Sequence, residues 1–111
     1  MIRSYPAMND VTDITLEEIL ARLRELAPAL KAAGVIRLAL FGSRARGDAR
    51  PDSDLDVLVD TTSRGELPPF DFFEVVHLIE NATGLQVQIS MRNLLKPRIT
   101  ERIADDLIEV F

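Results

Sequence analysis

Residues Leu38 to Asp60 read L-A-L-F-G-S-R-A-R-G-D-A-R-P-D-S-D-L-D-V-L-V-D, and most of the architecture can be worked out from this segment. An apolar run from Val35 to Phe41, interrupted only by Arg37, stops at a Gly-Ser pair. A short basic segment follows, and a second apolar run begins after S-D-L-D. Apolar runs of this length, bounded by turn residues, predict two strands of a sheet. The first run is nearly continuous, which favours a central strand.

Two carboxylates alternate with apolar residues at the start of the second strand. Successive strand side chains point to opposite faces, so Asp54 and Asp56 project to one side, about 6 to 7 Å apart along the chain. Leu55, Val57 and Val59 then face the core. Ser53, directly before the pair, is expected to cap or position it. Two carboxylates at this separation can share one or two hard cations.

The Gly-Ser pair between the strands has the composition of a phosphate-binding turn. Gly42 and Ser43 let the backbone turn close to a ligand, and the residues after them can open a short helix whose N-terminal amides attract phosphate. Arg44, Arg46 and Arg50 lie within the next seven residues, where they could meet the phosphates of a small nucleotide. The alternative for these arginines is a solvated turn.

Length and composition limit what such a site can belong to. The chain has 111 residues, 47% hydrophobic and 28% charged, which is typical of one globular domain. It has no cysteine, so disulfides and thiolate metal sites are excluded. Neither a signal peptide nor a membrane-spanning run is evident, and we expect a cytoplasmic protein. The net charge of −5 argues against strong nucleic-acid binding.

We expect a loose N-terminal segment over residues 1–13 and a single domain over residues 14–111. Thr15 and Glu18 form a capping-box pattern, and a leucine stripe at helical spacing follows it. Pro28 should bend or break this helix. The stripe could bind a partner helix, but packing against a sheet is the favoured interpretation.

The second half of the chain predicts a helix from Phe70, a short strand over Leu85–Ile89 and a terminal helix starting near Pro97. His77 on the first of these helices is expected to be a packed or surface residue. The expected buried positions of that helix are Phe72, Phe73, Val76 and either Leu78 or Ile79, and those of the terminal helix are Ile99, Ile103, Leu107 and Val110. The predicted fold is α/β (α+β), with a small mixed sheet of three to four strands and helices packed mainly on one face.

The joint pattern of G-S-R-A-R-G and S-D-L-D, with ten residues between Ser43 and Asp54, resembles a known signature. It is similar to that of the DNA polymerase β-type nucleotidyltransferase superfamily, in its small branch of minimal nucleotidyltransferases (MNT). The order of the predicted elements agrees with this family over most of the chain. The resemblance implies a polymerase β-like core. Small proteins of this branch are commonly antitoxins of HEPN ribonuclease toxins, and such members transfer AMP from ATP to a tyrosine of the toxin.

The resemblance and the chemistry of nucleotidyl transfer together suggest roles for these residues. Asp54 and Asp56 would bind Mg²⁺ and serve catalysis. Gly42 and Ser43 would hold the phosphates of ATP through backbone amides and a hydroxyl. Positive charge would come from Arg46, with Arg44 as a second candidate. Ser53 completes the set of expected nucleotide-binding residues.

One position departs from the family pattern. The family usually carries a third carboxylate on the strand after the second helix, where this chain reads Val87-Gln88-Ile89. The Gln88 amide can offer a neutral oxygen to a metal ion, but it carries no charge and cannot act as a base. Nucleotide binding is therefore expected more firmly than turnover.

Three functions remain open from the sequence. The first is a Mg²⁺-dependent adenylyltransferase antitoxin that modifies a HEPN-family toxin and forms a hetero-oligomer with it. The second is a binding module that neutralises its partner by complex formation, with or without a bound nucleotide. The third is a transferase acting on a small molecule or an RNA end, for which the chain has no residues to build an acceptor domain.

Overall fold

The computed structural model describes residues 13–111. In chain order the elements are α1 (Leu16–Glu25), α2 (Ala27–Ala32), β1 (Val35–Phe41), α3 (Gly42–Arg46), β2 (Leu55–Thr61), α4 (Phe72–Thr83), β3 (Val87–Met91), α5 (Pro97–Ile103) and β4 (Ile108–Glu109), with 3₁₀ turns at Arg92–Leu94 and Ala104–Asp106. The bounds of β1 are those predicted from its apolar run.

The first helical region is divided in two. The Thr15 hydroxyl accepts a hydrogen bond from the Glu18 amide, and the Glu18 carboxylate accepts one from the Thr15 amide, which forms the predicted capping box. The break falls at Leu26, and Pro28 stands in the first turn of α2. Proline has no amide hydrogen to donate, so it is tolerated at a helix start and not inside a helix. The predicted break is confirmed.

The sheet is mixed, with the strand order β3-β2-β1-β4. Strand β1 pairs antiparallel with β2 and with β4, and β2 pairs parallel with β3. The register places Phe41 opposite Asp56, and Asp56 opposite Gln88. These three residues therefore form one row across the sheet, at the end where β1 leaves for α3.

The hydrophobic core lies between one face of the sheet and helices α1, α2 and α4. Leu55, Val57 and Val59 are at most 1% exposed and belong to this core, as predicted from their alternation with Asp54 and Asp56. The helices contribute Ile19, Leu23, Leu30, Val75 and Ile79. The opposite face carries the polar Asp56 and Gln88 together with the buried Ala39 and Leu58. The predicted fold class is confirmed.

The prediction that Phe72 and Phe73 are buried is wrong. Their exposed fractions are 43% and 81%, whereas the buried side of α4 is made by Val75, Ile79 and Thr83. Phe73 precedes Val75 by two residues, so it points about 160° away around the helix. Phe72 lies nearer the buried side and stacks edge-on against Phe70, with 6.5 Å between ring centroids.

The predicted terminal helix is also wrong beyond Ile103. After α5 the chain makes a 3₁₀ turn and then forms β4, in which Ile108 pairs with Leu40 of β1. The Val110 amide donates to the Leu38 carbonyl at 2.8 Å, and Val110 is 6% exposed. The apolar residues after Ile103 thus fill an edge of the sheet, because β1 offers unpaired backbone groups there.

Residues 1–12 of the expected loose segment lie outside the described residues. Asp13, the last residue of that segment, is held by an ion pair with Arg44. Within residues 13–111, none of the helices has the length and apolar character needed to cross a membrane.

Candidate nucleotide and metal site

The two predicted acidic residues lie at the start of β2. Asp54 directly precedes the strand, and Asp56 is its second residue, half-buried on the face away from helices α1, α2 and α4. Burial raises the pKa of the Asp56 carboxyl above its usual value, the charge of Asp54 raises it further, and Arg46 lowers it. The two carboxylates are therefore close enough to repel each other, and a cation between them would relieve this repulsion.

Gln88 of β3 lies beside the two carboxylates. Its Nε2 donates a hydrogen bond to Oδ2 of Asp54 at 3.0 Å, and its backbone pairs with Asp56. Residues 13–111 contain no cluster of three or more His, Cys, Asp or Glu side chains suited to a metal ion. Two carboxylates and an amide oxygen are nevertheless hard oxygen ligands of the kind that Mg²⁺ takes together with water and phosphate. These ligands fit Mg²⁺, but they carry one negative charge fewer than three carboxylates would.

The glycine at the end of β1 is required by its contact with Asp56. Gly42 has a φ of +77°, in the left-handed region. A Cβ placed on Gly42 would collide with the Asp56 carboxylate and would lie 3.1 Å from its Cγ. A residue with a Cβ would force the Asp56 carboxylate to shift, so glycine lets the turn and the carboxylate share this space. Ser43 follows within α3 and is partly exposed beside them.

Arg46 is the predicted basic residue that the structure brings to the site. It lies in the same pocket as Gly42, Ser43 and Asp56. Its guanidinium donates to Asp106 Oδ2 at 2.9 Å and to Asp48 Oδ2 at 3.2 Å. These two hydrogen bonds raise the pKa of Arg46, so it stays charged, with its charge shared between two carboxylates.

The opposite wall of the pocket comes from the C-terminal part of the chain. Ile99, Arg102 and Ile103 of α5, together with Asp106, face the Gly-Ser turn across a cavity of about 480 Å³. This volume is within the usual range for small-molecule sites. The sequence did not point to Arg102 or Asp106, since neither belongs to a local motif. Ile99 and Ile103 of α5 were predicted only as part of an apolar helical pattern.

Two of the predicted site residues, Arg44 and Ser53, do not line this pocket. The Arg44 side chain is 3% exposed, and its guanidinium donates to Asp13 and to the carbonyls of Arg50, Pro51 and Ser53. It lies on the loop side of α3 and outside the pocket, where it fastens the loop 47–54.

Ser53 belongs to the same loop and does not line the pocket. Its hydroxyl accepts the Arg50 amide at 2.8 Å, and its own amide donates to the Arg50 carbonyl. Ser53 thus orders the turn that precedes Asp54. His77 is exposed on α4 beside Asn81 and lies outside the site.

A phosphate-type turn, a carboxylate pair and an arginine on one face of a mixed sheet are the parts of a nucleotidyl-transfer site. The chain matches the nucleotidyltransferase domain family over residues 16–110 and belongs to this family. It is 35% identical over 99 residues to the protein adenylyltransferase MntA of Thermococcus cleftensis, covering 87% of this chain and 97% of that protein.

Other relatives agree with this assignment. A Methanocaldococcus jannaschii protein, provisionally named a protein adenylyltransferase, is 34% identical, with coverage of 86% of this chain and 98% of its own. A solved structure described provisionally as a minimal nucleotidyltransferase superposes with a TM-score of 0.67 at 33% identity, covering 86% of this chain and 95% of that one. A toxin-antitoxin crystal structure with AMP-PNP has a TM-score of 0.59 at 16% identity, covering 88% and 73%, and shares the fold.

Proposed function

We propose that this chain is a cytoplasmic antitoxin that transfers AMP from ATP to a hydroxyl, that of a tyrosine, on a HEPN-family ribonuclease toxin, in a Mg²⁺-dependent reaction. The observation that carries the proposal is the contact of Gly42 with Asp56, which holds a phosphate-type turn against the carboxylate pair. A relative of similar length is named a protein adenylyltransferase, and a toxin-antitoxin structure with AMP-PNP has the same fold. The name of the relative supports a protein acceptor, and the AMP-PNP of the second structure supports an adenine nucleotide.

In this reaction the acceptor oxygen attacks the α-phosphorus of ATP, the bond from that phosphorus to the bridging oxygen breaks, and pyrophosphate leaves. The hydroxyl proton passes to solvent, because Gln88 cannot accept it. Ser43 and the backbone of the Gly-Ser turn would bind the terminal phosphates, and Arg46 would add positive charge beside them. Positioning and charge neutralisation are the main contributions of a protein to such transfers.

Asp54 and Asp56 would hold Mg²⁺, with the Gln88 amide oxygen as a neutral neighbour. Bound Mg²⁺ supplies counter-charge to the triphosphate and lowers the pKa of the attacking hydroxyl. Burial raises the pKa of Asp56 and the charge of Asp54 raises it further. A cation between the two carboxylates would remove this repulsion, which supports the placement.

A binding module is the second candidate, and Gln88 is the observation that favours it. In place of a third carboxylate the site has a neutral amide that donates to Asp54. A protein with this site could hold a nucleotide, or only its partner, and neutralise the partner by covering it. The transfer and binding functions make opposite predictions for the aspartate variants.

The test is to incubate the protein with α-³²P-labelled ATP, Mg²⁺ and the cognate toxin, and to follow label on the toxin. Asp54→Ala and Asp56→Ala should lower labelling by at least about 100-fold, since each removes a charged ligand of the site. If both variants still neutralise the toxin in cells while no label is transferred, the binding-module function is correct and transfer is not.

Glycine variants test the importance of the close approach of Gly42 to Asp56 in the same assay. Gly42→Ala should abolish labelling, because its Cβ pushes the Asp56 carboxylate out of place. Gly84→Ala is the matched control: its φ is +73°, and nothing lies within 4 Å of its added Cβ. Both variants bear the backbone strain of a left-handed alanine, about 1 kcal/mol or more, and only Gly42→Ala should lose transfer. Equal labelling by the two would remove the support for the turn-carboxylate site.

A further inference from the structure

We infer that Arg102 of α5 is a phosphate-binding residue of the nucleotide site. It supplies positive charge for the triphosphate in addition to that of Arg46. The inference rests on the proposed function, because its ligand is the nucleoside triphosphate of that same pocket. It adds a residue from the C-terminal wall to a site otherwise assigned to residues 42–56.

The position of Arg102 is the first argument. It lines the pocket directly across from Gly42, Ser43 and Asp56. Ile99 and Ile103, also on α5, are partly buried and line the same pocket, which fixes this side of the helix toward the turn. Arg102 itself is exposed, so its guanidinium is accessible to a ligand entering from solvent.

Arg46 and Arg102 also differ in their hydrogen-bond and ion-pair partners. Arg46 is hydrogen-bonded to both Asp48 and Asp106. Across residues 13–111, Arg102 makes no ion pair within 4.0 Å and no side-chain hydrogen bond. A cation on a pocket wall without a carboxylate partner is available to an anion without first breaking an ion pair.

The charge balance of the pocket is the third argument. Among residues 13–111, its lining includes the carboxylates of Asp56 and Asp106, with Asp54 beside Asp56, and the only lining cations are Arg46 and Arg102. Without Arg102 this pocket would be net negative and would repel a triphosphate until metal was bound. Arg102 adds a second cation that reduces this repulsion, and an arginine can hold a phosphate through two parallel hydrogen bonds.

The experiment is isothermal titration calorimetry of the intact protein with ATP, adenosine and inorganic triphosphate, each with Mg²⁺ and again in EDTA. Arg102→Ala should weaken ATP and triphosphate by about 10-fold or more in Kd, the usual effect of losing one charged hydrogen-bonding group. Adenosine binding should change less than about 2-fold. Because the contact is with phosphate oxygens, the loss for ATP should persist in EDTA, and Arg102→Lys should restore part of it.

Arg98→Ala is the matched control. Arg98 is one turn earlier on α5, exposed and of the same charge, but it does not line the site pocket. It should leave the Kd for ATP within about 2-fold. If Arg102→Ala binds ATP as the wild type does while Asp54→Ala and Asp56→Ala lose Mg²⁺-dependent binding, the inference is wrong and the proposed function stands. If the wild type binds no nucleotide, both are wrong.

Discussion

The negative charge of the half-buried Asp56 carboxylate suits the binding of a cation but destabilises the fold. Its pKa is raised by burial and by Asp54, so the folded state binds the Asp56 proton more tightly than the unfolded state does. Below the unfolded pKa of about 3.9 this difference adds stability to the fold. As the pH rises through the folded pKa the contribution is lost, and it is absent at neutral pH.

Asp56→Asn should therefore raise the melting temperature of the ligand-free protein at pH 7 while it abolishes AMP transfer. Solvent around the half-buried side chain limits the gain to under about 1 kcal/mol, which corresponds to less than about 4–8 °C for a domain of this size. The measurement is thermal unfolding by circular dichroism at pH 7 and again at pH 4, where the gain should shrink.

Asp52→Asn is a suitable control, since Asp52 is an exposed acid of the neighbouring loop. It should leave the melting temperature and transfer close to the wild type. A lower melting temperature for Asp56→Asn at pH 7 would contradict the assignment of a destabilising charge.

At the scale of elements, α3 and the loop after it depend on two arginines with opposite roles. Arg44 is buried and joins Asp13 to three carbonyls of the loop, whereas Arg46 is exposed and lies in the pocket. Removing a buried, hydrogen-bonded charge leaves its partners unsatisfied, and removing an exposed ion pair costs little.

We expect Arg44→Ala to lower the free energy of unfolding by about 3–5 kcal/mol, and Arg46→Ala to change it much less, because the ion pairs of Arg46 are exposed. At a temperature where both are folded, Arg46→Ala should be the variant with the weaker ATP affinity. Urea denaturation and calorimetry measure the two quantities. A large stability loss for Arg46→Ala, with Arg44→Ala near the wild type, would reverse the two assignments.

The elements that the sequence predicted correctly are those written in local patterns. The bounds of β1, the break near Pro28 and the core-facing side of β2 follow from apolar alternation, capping chemistry and proline geometry. The exposure of Phe72 and Phe73 could not be read in this way, because an apolar first turn looks the same whether or not the sheet extends beneath it.

What the sequence could not predict depends on contacts between distant residues. β4 has two residues and exists because β1 has a free edge, so no local period reveals it. Arg44 finds Asp13 at a separation of 31 residues, and Arg46 finds Asp106 at a separation of 60. The carboxylate pair and the Gly-Ser turn could be predicted because their spacing is a motif. The role of Arg102 could not be predicted, because the orientation of α5 toward the pocket depends on tertiary packing.

At the scale of the whole molecule, the candidate site is assembled from three separate stretches of chain. The turn of α3 follows β1, the carboxylates begin β2, and the opposite wall comes from α5 and the 3₁₀ turn before β4. Strands β1 and β2 are central, and β4 closes the edge beside β1. Because no single stretch contains the whole site, unfolding of the sheet separates its residues. Ligand binding and global folding are therefore coupled.

Mg²⁺ and ATP should therefore stabilise the molecule as one cooperative unit. At a free concentration about 100 times Kd the gain is about 2.7 kcal/mol, which for this chain length raises the melting temperature by about 10 °C or more. In urea the midpoint should rise with an unchanged slope, because the surface exposed on unfolding is the same. The Asp54→Ala, Asp56→Ala double variant should show no such shift. Two separate transitions with ligand, only one of them shifted, would mean that the C-terminal wall unfolds independently, and that α5 takes no part in holding the nucleotide.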